Sequence, residues 1–126
     1  HTLGHAIEMA TQTEEGEIFR HGEGVSLGMV AVAHIAQLHL STPIEVGQKI
    51  KAILKAYNLP TSFSASKLGL KRDELIDSCA RLTLKDKKRK DNQLRFVLVN
   101  EPGSADVHTG IHNEHIIQAY QAVIKD

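Results

Sequence analysis

The sequence predicts a mainly α domain, with five or so helices and one small β-hairpin. Apolar residues recur at helical spacing over most of the 126 residues. Strict alternation appears once, in Leu94–Val99, and Glu101-Pro102-Gly103-Ser104 then breaks the chain before a short second strand over 105–109. At 41% hydrophobic and 24% charged, the chain has the composition of a folded globular protein. Its length fits one domain, or part of a larger protein.

Residues 1–10 carry Leu3, Ala6, Ile7 and Ala10 at helical spacing. The pattern begins at the first residue, as though the sequence started inside a helix, so an upstream domain is expected. Residues 11–20 are polar and acidic around Gly16 and read as a connection. In residues 22–40 apolar side chains cover nearly the whole circumference, which predicts a helix buried on most sides. Thr42 is the expected N-cap of the next helix and Pro43 its first residue. Val46, Ile50, Ile53, Leu54 and Tyr57 then form one stripe, and Asn58-Leu59-Pro60 ends it. Residues 61–70 read as a Ser-rich connection, Asp73–Leu82 as a shorter helix and 85–92 as a charge run. Residues 113–125 read as a closing helix capped by Asn113.

Composition excludes several functions. Fifteen basic side chains balance fifteen acidic ones, which argues against a surface built to grip nucleic acid or anionic membrane. No apolar run approaches the roughly 20 residues that span a bilayer. The single cysteine, Cys79, excludes a disulfide framework and a Cys-rich zinc site and fits a reducing cytoplasm. It reads as a small core residue. Eight histidines are many for this length.

Three features carry chemistry. In His1-Thr2-Leu3-Gly4-His5, two imidazoles four residues apart share one helix face, the arrangement of helical zinc motifs. Gly4 removes a side chain beside them, so a cofactor or substrate is expected to approach the backbone there. The bland alternative is a pair of ordinary, partly buried histidines. In His21-Gly22-Glu23 a histidine opens a helix, where the dipole disfavours a cation and suits a neutral metal ligand. Glu23 suits the dipole, and the plain alternative is a helix start. Asp86-Lys87-Lys88 lies in a charge run before LRFVL. Such a run is ordinarily a solvated face, but a basic cluster can hold a phosphate.

Taken together and in this order, these features resemble the carboxyl-terminal domain of the 3-dehydroquinate synthase family, sugar phosphate cyclases of the shikimate pathway. The family's GHTxGHAIE helix is similar to His1–Glu8, its HGExVxxGM to His21–Met29, and its DKK with a following strand to Asp86–Lys88 and Leu94–Leu98. The likeness spans roughly residues 1–100 and is strongest in the first 30.

The resemblance implies a helical metal- and substrate-binding domain over residues 1–126, with an NAD-binding domain absent from this chain and the active site between the two. It implies zinc (or cobalt) held by His1, His21 and a glutamate from upstream. It makes His5 the active-site histidine that moves protons without ligating metal, and Lys88, with Lys87 as second choice, the contact to substrate phosphate and carboxylate. The implied reaction converts 3-deoxy-D-arabino-heptulosonate 7-phosphate to 3-dehydroquinate and phosphate, in a cytoplasmic enzyme that is a homodimer at full length. With no GxGxxG fingerprint, NAD is expected to bind mainly to the missing domain, and the chain alone is expected to be inactive and to self-associate.

Two departures stand out. The connection from Thr11 to Arg20 is a little longer than the family's, and the tail EPGSADVHTGIHNEH matches it poorly. His108, His112 and His115 therefore receive no role, and His34 and His39 read as structural. The rivals are a sibling cyclase such as a 2-deoxy-scyllo-inosose or valiolone synthase, a metal-dependent alcohol or glycerol dehydrogenase, and a non-enzymatic helical interaction domain. The last predicts that His1, His5 and His21 do not converge.

Overall fold

The computed structural model describes residues 1–126. In chain order its elements are α1 (Thr2–Thr11), α2 (His21–Leu40), α3 (Ile44–Ala56), β1 (Phe63–Ser64), α4 (Arg72–Arg89), β2 (Phe96–Glu101), β3 (Ser104–His108), α5 (Asn113–Val123) and β4 (Ile124–Lys125), with a 3-10 turn at Ser66–Leu68. Five helices and an antiparallel pair make the mainly α architecture that the apolar periodicity predicts.

Helix α2 is the axis of the fold and packs against α1, α3, α5 and β2. It does so because its apolar residues are spread around the circumference: Leu27, Ala31 and Ile35 are fully buried. On α1 the pair Leu3 and Ile7, one turn apart, is also fully buried. Each such side chain contributes about 1.5–3 kcal/mol relative to exposure. Strand β2 turns Phe96 and Leu98 into this core and leaves Val97 outside, as alternation requires. It pairs with β3 in the register Phe96↔His108 to Val99↔Ala105, with an irregularity before Glu101↔Ser104.

The structure corrects several boundaries. Helix α3 starts at Ile44 with Pro43 as its N-cap, one residue later than expected. Thr42 is buried instead, with its hydroxyl directed to the Val99 carbonyl at 3.5 Å. His112, not Asn113, caps α5. The closing helix gives way at Ile124 to a two-residue strand that pairs in parallel with β1, inside the stretch expected to be a plain connection. Arg72 secures this junction, donating from Nε to the Ile124 carbonyl (2.7 Å) and from its terminal nitrogen to the Gln121 carbonyl (3.1 Å).

The largest difference is α4, which continues past Leu82 to Arg89 and takes in the charge run as far as that residue. The run is helical because Lys87, Lys88 and Arg89 complement the dipole at the helix C-terminus, and Lys90 Nζ reaches back to Asp86 at 3.4 Å. Asp91 and Asn92, both at positive φ, then turn the chain out; this residue pair tolerates the left-handed region. No helix is long and apolar enough to cross a membrane.

Candidate metal centre

The site is built where α1 meets the start of α2, and three glycines set how closely the two helices approach. A Cβ on Gly4 would overlap the Gly24 carbonyl oxygen and stand 2.8 Å from its carbon. A Cβ on Gly28 would stand 2.9 Å from the Gly4 nitrogen. The backbones of α1 and α2 are therefore in direct contact. The space beside Gly4, expected to admit a cofactor or substrate, is filled by α2. Gly4 is needed for helix crossing.

That crossing carries His1 and His5, a turn apart on α1, to His21, the first residue of α2. The His5 amide donates to the His1 carbonyl at 2.8 Å, which closes the first turn and stacks the two rings 6.2 Å apart at 17°. The His1 and His21 rings lie 5.2 Å apart and edge-on, at 68°. All three imidazoles are exposed at one mouth. Glu23 serves the helix start, accepting the Arg20 amide at 2.8 Å. The interaction-domain reading required scattered rings, and the fold gathers them.

Beneath the rings lies Glu8, whose side chain is only 11% exposed. Its carboxylate stands 3.0 Å from His21 Nδ1 and 3.6 Å from His5 Nδ1. Glu8 closes the first motif, and the sequence pattern assigned it no role. The available signal was its spacing, three residues after His5 on the same helix face.

A cavity of about 210 Å³ opens beside His1 and His5, and α4 supplies Lys85, Asp86 and Arg89 to its wall, with Lys90 just beyond the helix. Lys88 is exposed on α4 and is not part of that wall; Lys87 borders a different cavity, beside Asn92 and Ile111. The order of cations along a helix decides which ones face α1, and Lys85 and Arg89 share a face four residues apart. On the other side of His1 a mostly apolar cavity of about 330 Å³ is lined by Met29, Val32, Phe96 and Arg95 among others.

The remaining histidines lie elsewhere. His34 borders a groove with Lys51 and Lys125, and burial together with those two ammonium groups lowers its proton affinity. His39 faces His108 at 6.0 Å and His112 faces His115 at 5.5 Å. Cys79 is fully buried, and burial alone pushes its thiol up to about 12.

The donor set fits a zinc ion in part. With Zn–N of about 2.0–2.1 Å, two imidazoles on one tetrahedral metal have ring centres roughly 5 Å apart, the spacing of His1 and His21. No group of three His, Cys, Asp or Glu side chains in the chain could hold a metal ion by itself.

The family model for the 3-dehydroquinate synthase C-terminal domain matches residues 1–89. The chain belongs to that family. The match covers all three histidines of the mouth and ends at the close of α4. Among its relatives, the 3-dehydroquinate synthase of Acaryochloris marina is 36% identical over 124 residues, 98% of this chain and 31% of the relative. That of Thermobifida fusca is 34% identical over 123 residues, 98% of this chain and 30% of the relative. That of a Nostoc species is 35% identical over 122 residues, 96% of this chain and 31% of the relative. The chain thus spans about 30% of the length of these relatives. Their alignments extend through the tail, past the region where the motifs alone show a likeness.

Proposed function

We propose that this chain is the metal- and substrate-binding carboxyl-terminal part of a 3-dehydroquinate synthase, acting on 3-deoxy-D-arabino-heptulosonate 7-phosphate together with an NAD-binding domain. The observation that supports it best is the convergence of His1, His5 and His21 in a chain whose named relatives are such synthases.

In this reading His1 and His21 hold zinc or cobalt, and a glutamate outside these residues completes the protein ligands. Zinc supplies Lewis acidity to a substrate hydroxyl or carbonyl. His1 and His21 would fix where that ion stands at the mouth, on the side open to the other domain. His5 stands at the cavity mouth and carries protons to and from substrate without ligating the metal. The α4 cations stabilise the phosphate that leaves. The motif assigns this contact to Lys88, whereas the cavity wall offers Lys85 and Arg89. Alanine at each position, measured as KM in the full-length enzyme, separates the two assignments. A rise of tenfold or more for K88A supports the motif, and the same rise for K85A or R89A supports the wall.

The deciding experiment uses cobalt as a spectroscopic probe. The full-length protein should show the visible absorption of tetrahedral cobalt, and H1A and H21A should abolish it while H5A retains it. An unchanged spectrum in H1A and H21A would remove the metal assignment. This chain alone, supplied with NAD, zinc and substrate, should show no turnover; measurable 3-dehydroquinate would refute that expectation.

A further inference from the structure

We infer that Glu8 is a positioning residue: its carboxylate holds the His21 imidazole in the Nδ1–H form and so aims Nε2, unprotonated, at the metal. The inference rests on the proposed metal site and deepens it, because the contact is internal to this chain.

The chemistry of the contact sets its direction. A carboxylate offers only acceptors. His21 Nδ1 at 3.0 Å from Glu8 Oε1 and 3.4 Å from Oε2 makes a hydrogen bond only if Nδ1 carries the proton. In a neutral imidazole the other nitrogen is then the free lone pair. The bond crosses thirteen residues and joins two helices, so it also fixes the ring's direction relative to His1. A ligand imidazole tied back to a carboxylate in this way is more basic toward its metal and pre-oriented.

The fold reserves the space for this carboxylate. A Cβ on Gly24 would overlap Glu8 Oε1 and stand 2.6 Å from its Cγ and 2.7 Å from its Cδ. Gly24 thus serves twice: its carbonyl meets Gly4, and its missing side chain lets Glu8 lie against α2. Glu8 is nearly buried while both imidazoles it faces are more than half exposed, so it is a fixed anchor under solvent-facing rings. His5 is placed differently. Its Nδ1 is 3.6 Å from Oε2, beyond a hydrogen bond, so its tautomer stays free. One carboxylate therefore locks the ring proposed as ligand and leaves the ring proposed as proton carrier unlocked.

The test is long-range 1H–15N correlation of the histidine side chains at about pH 8.5, where neutral imidazoles dominate, with H21A to assign the signal. His21 should be the Nδ1–H tautomer in the parent chain, revert to Nε2–H in E8A and G24A, and stay Nδ1–H in E8Q, whose amide oxygen still accepts. A merely structural role for Glu8 would not follow this order, and circular dichroism checks that each variant is folded. Titration of the full-length protein, which carries the third protein ligand, with Zn²⁺ should shift His1 and His21 together, with apparent affinity reduced about 10–100-fold in E8A and largely restored in E8Q. Nε2–H in the parent, or no change in E8A, overturns the role of Glu8 even if zinc still shifts both rings. The expected tautomers with no zinc-induced shift would instead overturn the metal site, and with it the function of the Glu8 bond.

Discussion

Gly4→Ala should separate α1 from α2, and its cost follows from the crossing. The added methyl would meet backbone on α2: the Gly24 carbonyl oxygen inside contact distance, the Gly24 carbon at 2.8 Å and the Val25 nitrogen at 3.2 Å. Backbone cannot rotate away as a side-chain tip does, so relief requires the helices to part by about 1 Å. Leu3 and Ile7 flank the contact fully buried and lose packing when they do. Overpacking of this kind costs about 1–3 kcal/mol, and alanine returns up to about 1 kcal/mol of helix propensity. The expected net loss is about 1–2 kcal/mol, read as a urea midpoint lower by roughly 1 M at unchanged slope. Gly22→Ala is the internal control, since a Cβ there meets nothing within 4 Å, and it should be neutral or slightly stabilising. The same separation should break the 3.0 Å contact between Glu8 and His21. A G4A midpoint equal to or above that of the parent would refute the claim that backbone contact places the histidines.

Three further outcomes are expected. Inside the core, the Thr83 hydroxyl must donate to the Cys79 carbonyl (2.9 Å), so the Tyr120 hydroxyl at 2.5 Å donates to Thr83; Thr83→Val strands a buried phenol at about 1–3 kcal/mol, whereas Tyr120→Phe keeps the inner bond and should cost less through hydrogen bonding. Urea denaturation of both variants checks that order. Burial lifts the Cys79 thiol from its ordinary 9.0 to about 12, so the unfolded chain releases this proton first as pH rises, and native stability falls from about pH 9 upward by up to about 1.4 kcal/mol per unit. Tyr120 is pushed up as well and acts in the same direction. Melts at pH 8 and 10 should show the loss, and Cys79→Ala should flatten it; equal stability at both values would contradict the burial argument. Finally, Val97 and Val107 face each other across the hairpin, each about 60% exposed, and Ile53 on α3 and Tyr57 just after it are exposed too. The chain alone should therefore self-associate in light scattering, and a clean monomer at high concentration would count against that.

Local pattern was enough to place several elements. Apolar spacing located α1, α2 and α3, and alternation located β2, because 3.6- and 2-residue periods are properties of a segment. The same kind of pattern singled out His1, His5 and His21, since the i, i+4 pair and the helix-start histidine are legible without a fold. How those segments meet was settled by three-dimensional packing alone. A glycine in a sequence shows what is missing and not what fills the space, so Gly4 read as an opening when it is a crossing. The helix before the charge run was expected to end at Leu82, because the run's balance of helix dipole and ion pairing depends on where α4 ends. Likewise the α4 cations that face the histidines, and the partnership of Glu8 with His21, depend on the rotation and depth of one helix against another. Those are set by packing, over distances that no local pattern encodes.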